Sequence, residues 1–285
     1  TRGAASTLIL GGEKWGGQLM LTTTVDNFPG FPDGIQGPDL MAAMKKQVER
    51  FGAEFVQSNV ESVDLSKKPF EVTSTGTIYP AKTIIIATGA ATLWLDVPGI
   101  SKLIGRGISS CAPCDAPFFK DKKVAVVGGG DSAMEEALVL TKYATEVTII
   151  HRREEFRASQ AMQQKVLASG KVKVLWNTEV TEAVGTEKLE KVKLKNNKDN
   201  TTSELAVDGL FIAIGHKPET DLFVGKIDVD ERGYVKISEN SRTSAPGVFV
   251  AGDVHDWHYK QAVTAAGFGC MAGMDVLSYL VELKG

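Results

Sequence analysis

Short runs of β-branched and aliphatic residues alternate along the chain with stretches whose apolar positions recur near every 3.6 residues. That alternation predicts an α/β architecture. Residues 6–10 (STLIL) read as a strand. In 38–51, Leu40, Met41, Met44, Val48 and Phe51 share one face and predict a helix. Segments 54–56, 60–65, 70–73 and 77–79 read as strands. The run 83–87 (TIIIA) is continuously apolar and stops at Thr88-Gly89, the pattern of a strand buried on both faces.

A new unit begins near Leu93. It predicts a strand at 123–127, a helix at 131–143, a strand at 146–150 and a helix at 160–167. Further strands are expected at 172–175, 180–184, 190–195, 203–207 and 209–214, with 196–202 (NNKDNTT) as a hairpin turn. Residues 248–251 read as a last strand, and 261–281, rich in Ala, Gly and Met, as a long helix. Three segments echo one another: TIIIATGA (83–90), LFIAIGHKP (210–218) and VFVAGD (248–253). Each is an apolar strand ending in a glycine turn, where α/β sheets hold ligands.

Composition narrows the class without changing that picture. With 285 residues, 43% hydrophobic and 24% charged, the chain suits one large or two medium folded domains. A formal net charge of -3 argues against a general nucleic-acid binder. No continuous apolar run approaches the roughly 18–20 residues of a membrane helix. The first residues, TRGAASTLIL, lack the charged-then-apolar layout of a secretory signal. Three cysteines, Cys111, Cys114 and Cys270, do not make a secreted disulfide framework, so a reducing cytoplasm is the expected setting. Cys270 lies among Gly267, Gly269, Ala272 and Gly273 and is expected to be a small buried side chain on a tightly packed helix.

Two stretches carry chemistry. The first is VAVVGGGDSA (124–133), an apolar strand running through Gly128, Gly129 and Gly130 into a helix. Gly128 allows a tight turn, Gly130 lets backbone approach a pyrophosphate, and Ala133 permits close packing of helix on strand. Asp131 and Ser132 open the helix, whose free N–H groups favour phosphate. An NAD site would end the next strand in a carboxylate for the ribose hydroxyls. Here it ends in His151, Arg152 and Arg153, with Arg157 close behind, although Glu154 and Glu155 dilute the charge. Guanidinium groups bind a 2′-phosphate, so NADPH is the expected dinucleotide.

The second stretch is Cys111-Ala112-Pro113-Cys114, followed by Asp115. Cysteines three apart can close a redox-active disulfide, and Asp115 is placed to carry a proton to a leaving thiolate. Half of a zinc site, completed by His255 and His258, is the competing reading; those histidines come after Gly252-Asp253 in a different unit and read as surface loop residues. A nicotinamide and a disulfide exchange electrons through a carrier, and a flavin is the natural one.

Taken together, these segments resemble low-molecular-weight thioredoxin reductases of the FAD/NAD(P)-dependent pyridine nucleotide-disulfide oxidoreductases. The resemblance runs through GGQLMLTTTVDNFPGFPDGI (16–35), IIIATGA (84–90), CAPCD (111–115), VAVVGGGDSAMEEAL (124–138), HRREEFRAS (151–159), IAIGHKP (212–218) and GVFVAGDVHDWHYKQAVTAAGFGCMA (247–272). It implies two Rossmann-like domains, each a parallel sheet with helices and a small antiparallel layer. A discontinuous FAD domain would span 1–90 and 220–285, and an NADPH domain bearing the dithiol 91–219. The FAD site would draw on Gly12, Glu13, Gly16, Gly17, Gln18, Asn27, Thr88, Gly89, Ala90, Gly252, Asp253, Lys260, Gln261 and Ala262. Asp253 would meet the ribityl chain; Lys260 stands where the family usually has arginine. The NADPH site would use Gly128, Gly130, Asp131, Ser132, Ala133, His151, Arg152, Arg153, Arg157 and Gly215. Cys114 would face the flavin, Cys111 would attack the substrate disulfide, and Asp115 would be the acid. Thioredoxin or a similar protein would be the acceptor, and a homodimer the assembly.

The family opens with a strand and a GxGxxG turn for the FAD pyrophosphate. Residues 6–10 match the family's second strand, so the expectation is that leading residues are not represented in this sequence; the alternative is a short protein whose sheet lacks its central strand and whose FAD binding is weakened or lost. Three functions remain open on these grounds. One is an NADPH-dependent reductase of thioredoxin. Another is a related flavoenzyme with a different donor or acceptor, such as ferredoxin or a peroxiredoxin. The third is a flavin-deficient, non-catalytic homologue.

Overall fold

The computed structural model describes residues 3, 5–22 and 24–283. The chain start at Thr1-Arg2, and Thr23 within the matched 16–35 segment, lie outside them. The chain divides into two compact units, Thr1–Ala91 with Lys217–Gly285, and Thr92–His216. The unit boundaries therefore fall at 91/92 and 216/217.

In Thr92–His216, five parallel strands lie in the order Ile108–Ser109, Gly209–Ile212, Lys123–Val127, Glu146–Ile150, Val172–Leu175. Alternation explains why these strands read as unbroken apolar runs. Val124, Val126, Val147 and Ile149 face one way and pack on Ala133, Met134, Ala137 and Leu140 of the helix Asp131–Leu140. Ala125, Val127, Ile150 and Ile212 face the other way, onto Val180, Val192 and Leu194 of an antiparallel sheet. That second layer is Thr178–Val184, Lys191–Asn196 and Thr202–Ala206, with the polar stretch between the last two strands as its turn. The helix after Gly130 stops at Leu140 rather than Tyr143, because the Thr141 hydroxyl turns back to donate to the Leu138 carbonyl.

The other unit is less continuous. Its parallel strands form two separate pairs, Leu8–Leu10 with Glu54–Val56 and Ile84–Ile86 with Val248–Val250. Three antiparallel strands, Ser62–Asp64, Phe70–Ser74 and Thr77–Ala81, make its small layer. Val63, Phe70, Ile86, Val248 and Val250 belong to one core cluster. The helix Gly37–Arg50 starts with Pro38 in its first turn, where no N–H is needed.

Three expectations need correction in this unit. The strand Ile84–Ile86 is not buried on both faces: Ile85 is 41% exposed, since the strand's one ladder among the described residues is to Val248–Val250. Cys270 is an exposed free thiol rather than a buried one. It sits on the helix Ala262–Glu282, which buries only Ala272 and Tyr279 and leaves Val263, Met271, Met274 and Val281 exposed. By length and composition that helix, with mean hydropathy 1.3, also meets the requirement for a membrane span, which a search for continuous apolar runs does not detect. Its Asp275 carboxylate is tied down within the fold, accepting from the Ser241 backbone N–H and hydroxyl.

Candidate active site

Cys111 and Cys114 form a disulfide, with Cα atoms 5.3 Å apart. The pair begins just beyond the carboxyl end of the edge strand Ile108–Ser109. Ala112–Asp115 makes one helical turn, closed by Cys114 N–H and Asp115 N–H donating to the Cys111 carbonyl at 3.2 and 3.1 Å. Pro113 is tolerated because it falls in that first turn. Asp115 is tethered by Ser109, whose hydroxyl donates to Oδ2 at 2.6 Å. Burial raises the Asp115 pKa above the ordinary carboxylate range, and the Ser109 hydrogen bond opposes that rise. A partly buried carboxyl biased toward its protonated form beside a disulfide is equipped to give a proton to sulfur.

The glycine turn lies at the same end of the same sheet, after Val127. Its three glycines do different things. A Cβ on Gly128, at φ 156°, would stand 2.4 Å from the Ala213 carbonyl oxygen and 2.7 Å from Ala133 Cβ. One on Gly129 would strike the His151 ring at 2.2 Å. One on Gly130 would meet nothing within 4 Å. The first two are needed by the protein's own packing; the third keeps open a space at the helix N-terminus beside Asp131 and Ser132.

The arginine loop is fastened to this turn. Arg157 N–H and Ala158 N–H donate to the Gly129 carbonyl at 2.7 and 3.1 Å, and Ser159 N–H donates to Asp131 Oδ1 at 2.8 Å. Arg152, Arg153 and Arg157 are exposed. Glu154 is held by Lys198 at 2.6 Å, which offsets part of the charge dilution read from the sequence. His151 is placed differently from the arginines: it is 5% exposed, packed against Phe156 and Trp176, with Nε2 2.9 Å from the Glu155 carbonyl. Burial lowers its pKa, with help from nearby Arg157 and Arg153, so the ring is neutral at pH 7 and serves as packing under Gly129. Gly215, at φ 125°, comes after the interior strand Gly209–Ile212 at this same end.

A second cluster forms in the unit Thr1–Ala91 with Lys217–Gly285. Thr88 and Gly89 come after the strand Ile84–Ile86, and Gly252 and Asp253 after its partner Val248–Val250. The Thr88 hydroxyl donates to the Glu219 carbonyl at 2.6 Å, and Glu219 N–H donates to the Gly89 carbonyl. Gln18 Nε2 donates to the Ala90 carbonyl at 2.6 Å, drawing the Gly16–Gly17 turn to this place. Asn27 Nδ2 donates to Gln261 Oε1 at 2.9 Å, joining residues 234 positions apart. Gln261 caps the long helix through a reciprocal pair with Thr264, and Ala262 opens it. Cβ atoms on Gly17 and Gly89 would meet open space. Gly12 and Glu13 are anchored elsewhere in this unit, through Gly12 N–H to the Ser58 carbonyl and Glu13 N–H to Asn59 Oδ1.

Asp253 is the most perturbed carboxyl: burial and then the neighbouring Asp256 charge raise its pKa to about 6, against the pull of Lys260. Asp256 accepts backbone N–H bonds from His258, Tyr259 and Lys260, shaping the turn that puts Lys260 at φ 48°.

Among the described residues no group of three His, Cys, Asp or Glu side chains is placed to hold a metal. His258 is exposed, but His255 is not a surface residue: its ring packs on Phe268 at 4.3 Å, with Nε2 buried and unpartnered. Three contributors escaped the sequence reading: Ser109, Asp256 and Glu136, whose carboxylate accepts the Ala112 N–H at the redox turn. Ser109, two positions before Cys111, and Asp256, at the start of the turn it shapes, offered local signals; Glu136 acts on a residue 24 positions away.

Residues 1–269 match the family described as pyridine nucleotide-disulphide oxidoreductase. The thioredoxin reductase of Streptomyces coelicolor is 52% identical over 271 residues, 94% of this chain and 84% of that protein. The thioredoxin reductase of Rickettsia conorii is 47% identical over 284 residues, 98% of this chain and 92% of that protein. Among solved structures, a thioredoxin reductase from Giardia duodenalis superposes with a TM-score of 0.91 at 40% identity, covering 97% of this chain and 91% of its own. One from Streptococcus pyogenes gives 0.93 at 38% identity, covering 99% and 92%. The chain belongs to the pyridine nucleotide-disulphide oxidoreductase family, on its thioredoxin reductase branch.

Proposed function

We propose that the chain is an NADPH-dependent flavoprotein disulfide reductase acting on thioredoxin or a thioredoxin-like protein. The observation that carries this reading is the Cys111–Cys114 disulfide, with the Ser109-tethered carboxyl of Asp115 next to it, at the same sheet end as the Gly128–Gly130 turn. In this reading Thr92–His216 is the NADPH domain. The open space at Gly130 suits a pyrophosphate, and Arg152, Arg153 and Arg157 suit a 2′-phosphate. Thr1–Ala91 with Lys217–Gly285 is the FAD domain, and the open faces of Gly17 and Gly89 suit close approach of a cofactor. Gly12, Glu13, Gln18, Asn27, Asp253, Lys260, Gln261 and Ala262 would contribute to that site. FAD, when bound, supplies the two-electron relay between nicotinamide and disulfide.

The protein's own residues complete the cycle. The reduced Cys111 thiolate attacks the partner's disulfide, forming a mixed disulfide and releasing one partner thiolate. Cys114 thiolate then attacks Cys111 sulfur, restoring the internal disulfide and releasing the second. Asp115 supplies a proton to a leaving sulfur. The balance is NADPH, one proton and one disulfide to NADP⁺ and two thiols. We assign a homodimer in a reducing, cytoplasmic compartment as the working form.

The test is NADPH oxidation by the purified chain with thioredoxin and a chromogenic disulfide, alongside its absorption spectrum. A flavin band is expected, with thioredoxin-dependent turnover that C114S abolishes while keeping the band; R152A/R153A should raise the NADPH KM by roughly tenfold or more. A colourless protein would sink the flavoenzyme reading. Turnover indifferent to the arginines would favour another donor.

A further inference from the structure

Ser109 makes two hydrogen bonds at the dithiol with one hydroxyl. It accepts from the Cys111 backbone N–H at 3.1 Å and donates to Asp115 Oδ2 at 2.6 Å. The group is 8% exposed, so water has little opportunity to replace either partner. With a lone pair given to the Cys111 N–H, the hydroxyl proton is aimed at the carboxylate. Backbone and side chain of the redox turn are thereby locked to the end of the strand Ile108–Ser109, itself paired with Gly209–Ile212.

We propose that Ser109 is a positioning residue for the proton donor of the dithiol, holding the Asp115 carboxyl and the Cys111 backbone in one frame through a single hydroxyl. The inference rests on the reading of Asp115 as that donor. Occupation of Oδ2 by Ser109 leaves Oδ1 to carry the proton that passes to sulfur when the S–S bond breaks. The same bond favours the ionised carboxylate, so Ser109 limits how far burial raises the Asp115 pKa. Glu136, on the helix Asp131–Leu140, is turned to the Ala112 N–H, and the next turn, Ala116–Phe119, carries no charged side chain.

The test needs no flavin. The full chain is reduced with dithiothreitol, desalted and alkylated with iodoacetamide between about pH 4 and about pH 9, and labelling of Cys111 and Cys114 is read by mass spectrometry. The wild-type profile should show, besides the thiol titration, a second step from coupling to Asp115. In S109A that step should move up by about one pH unit, the size a single hydrogen bond to a charged group supports. S109T, which keeps a hydroxyl, should return it. An S109A profile overlying wild type, with D115N lacking the step, would overturn the positioning role while leaving Asp115 as donor. A D115N profile that keeps the step would remove the donor reading and the proposal with it. An equal shift in S109T would assign the effect to packing and overturn the proposal.

Discussion

The strands Gly209–Ile212 and Ile84–Ile86 have the same chemistry, an apolar run ending in a glycine turn, and opposite surroundings. Gly209–Ile212 is buried at every position, between Ile108–Ser109 and Lys123–Val127. Ile84–Ile86 pairs with Val248–Val250 alone among the described residues, and Ile85 is 41% exposed. An apolar run therefore reports what a strand is made of, whereas burial depends on neighbours contributed by distant parts of the chain. The dithiol and glycine turn rest on the fully flanked sheet, while Thr88, Gly89, Gly252 and Asp253 rest on the two-stranded one.

Truncation of one side chain in each strand measures that difference. Phe211 is fully buried against Phe119, and F211A should cost about 3–5 kcal/mol through lost contact and a residual cavity. I85A should cost less than about 1 kcal/mol, since much of the side chain is already in water. Urea unfolding monitored by tryptophan fluorescence can report the first loss through Trp94 and Trp176, which lie in the same unit as Phe211. Similar costs for the two variants would mean that Ile85 is covered in solution.

The glycine turn allows a finer comparison within one loop. G128A places a methyl 2.4 Å from a carbonyl oxygen and should cost on the order of 2–4 kcal/mol. G130A, where the methyl meets open space, should change stability by less than about 0.5 kcal/mol and yet raise the NADPH KM. Thermal unfolding and steady-state kinetics separate the two. A G130A enzyme with unaltered KM would show that no phosphate comes near this position.

Much of this was legible in the sequence because the signals were local. The strand Lys123–Val127, the glycines after it, the CxxC pair and the helix Gln160–Leu167 follow from periodicity and spacing within about 20 residues. The short elements were not legible: Ile108–Ser109 and Ala112–Asp115 are too brief for any period, and they exist through ladder bonds to Leu210–Phe211 and the closure onto the Cys111 carbonyl. His151 illustrates another limit. Its place beside two arginines suggested a cofactor ligand, but the ring turns inward because Gly129 leaves it room. Cys270 was misjudged because small neighbours imply close packing only where another element lies against that face. Asn27 and Gln261 were each legible through the resemblance, but their hydrogen bond is a product of the fold alone.

Asp253 bears most directly on the less continuous unit, through the pH dependence of its stability. Its pKa rises from 3.8 to about 6, chiefly by burial and then by Asp256, so the folded chain holds a proton that the unfolded chain has released. Below pH 3.8 both states are protonated and the group is neutral toward stability. As pH rises from 3.8 to about 6 the unfolded state ionises first, and stability falls; above about 6 the cost is constant. The shift corresponds to roughly 3 kcal/mol at most, and about 2 kcal/mol after allowance for residual solvent contact. D253N should therefore stabilise the flavin-free protein by about 2 kcal/mol at pH 7, with the advantage shrinking to nothing as pH falls through the same window. Unfolding free energies measured at both ends of that window decide it. An advantage that persists at acid pH would point to packing of the amide instead of relief of a buried charge. The carboxylate thus costs the fold stability at neutral pH, and under the proposed function a polar ligand at the carboxyl end of Val248–Val250 would offset that cost.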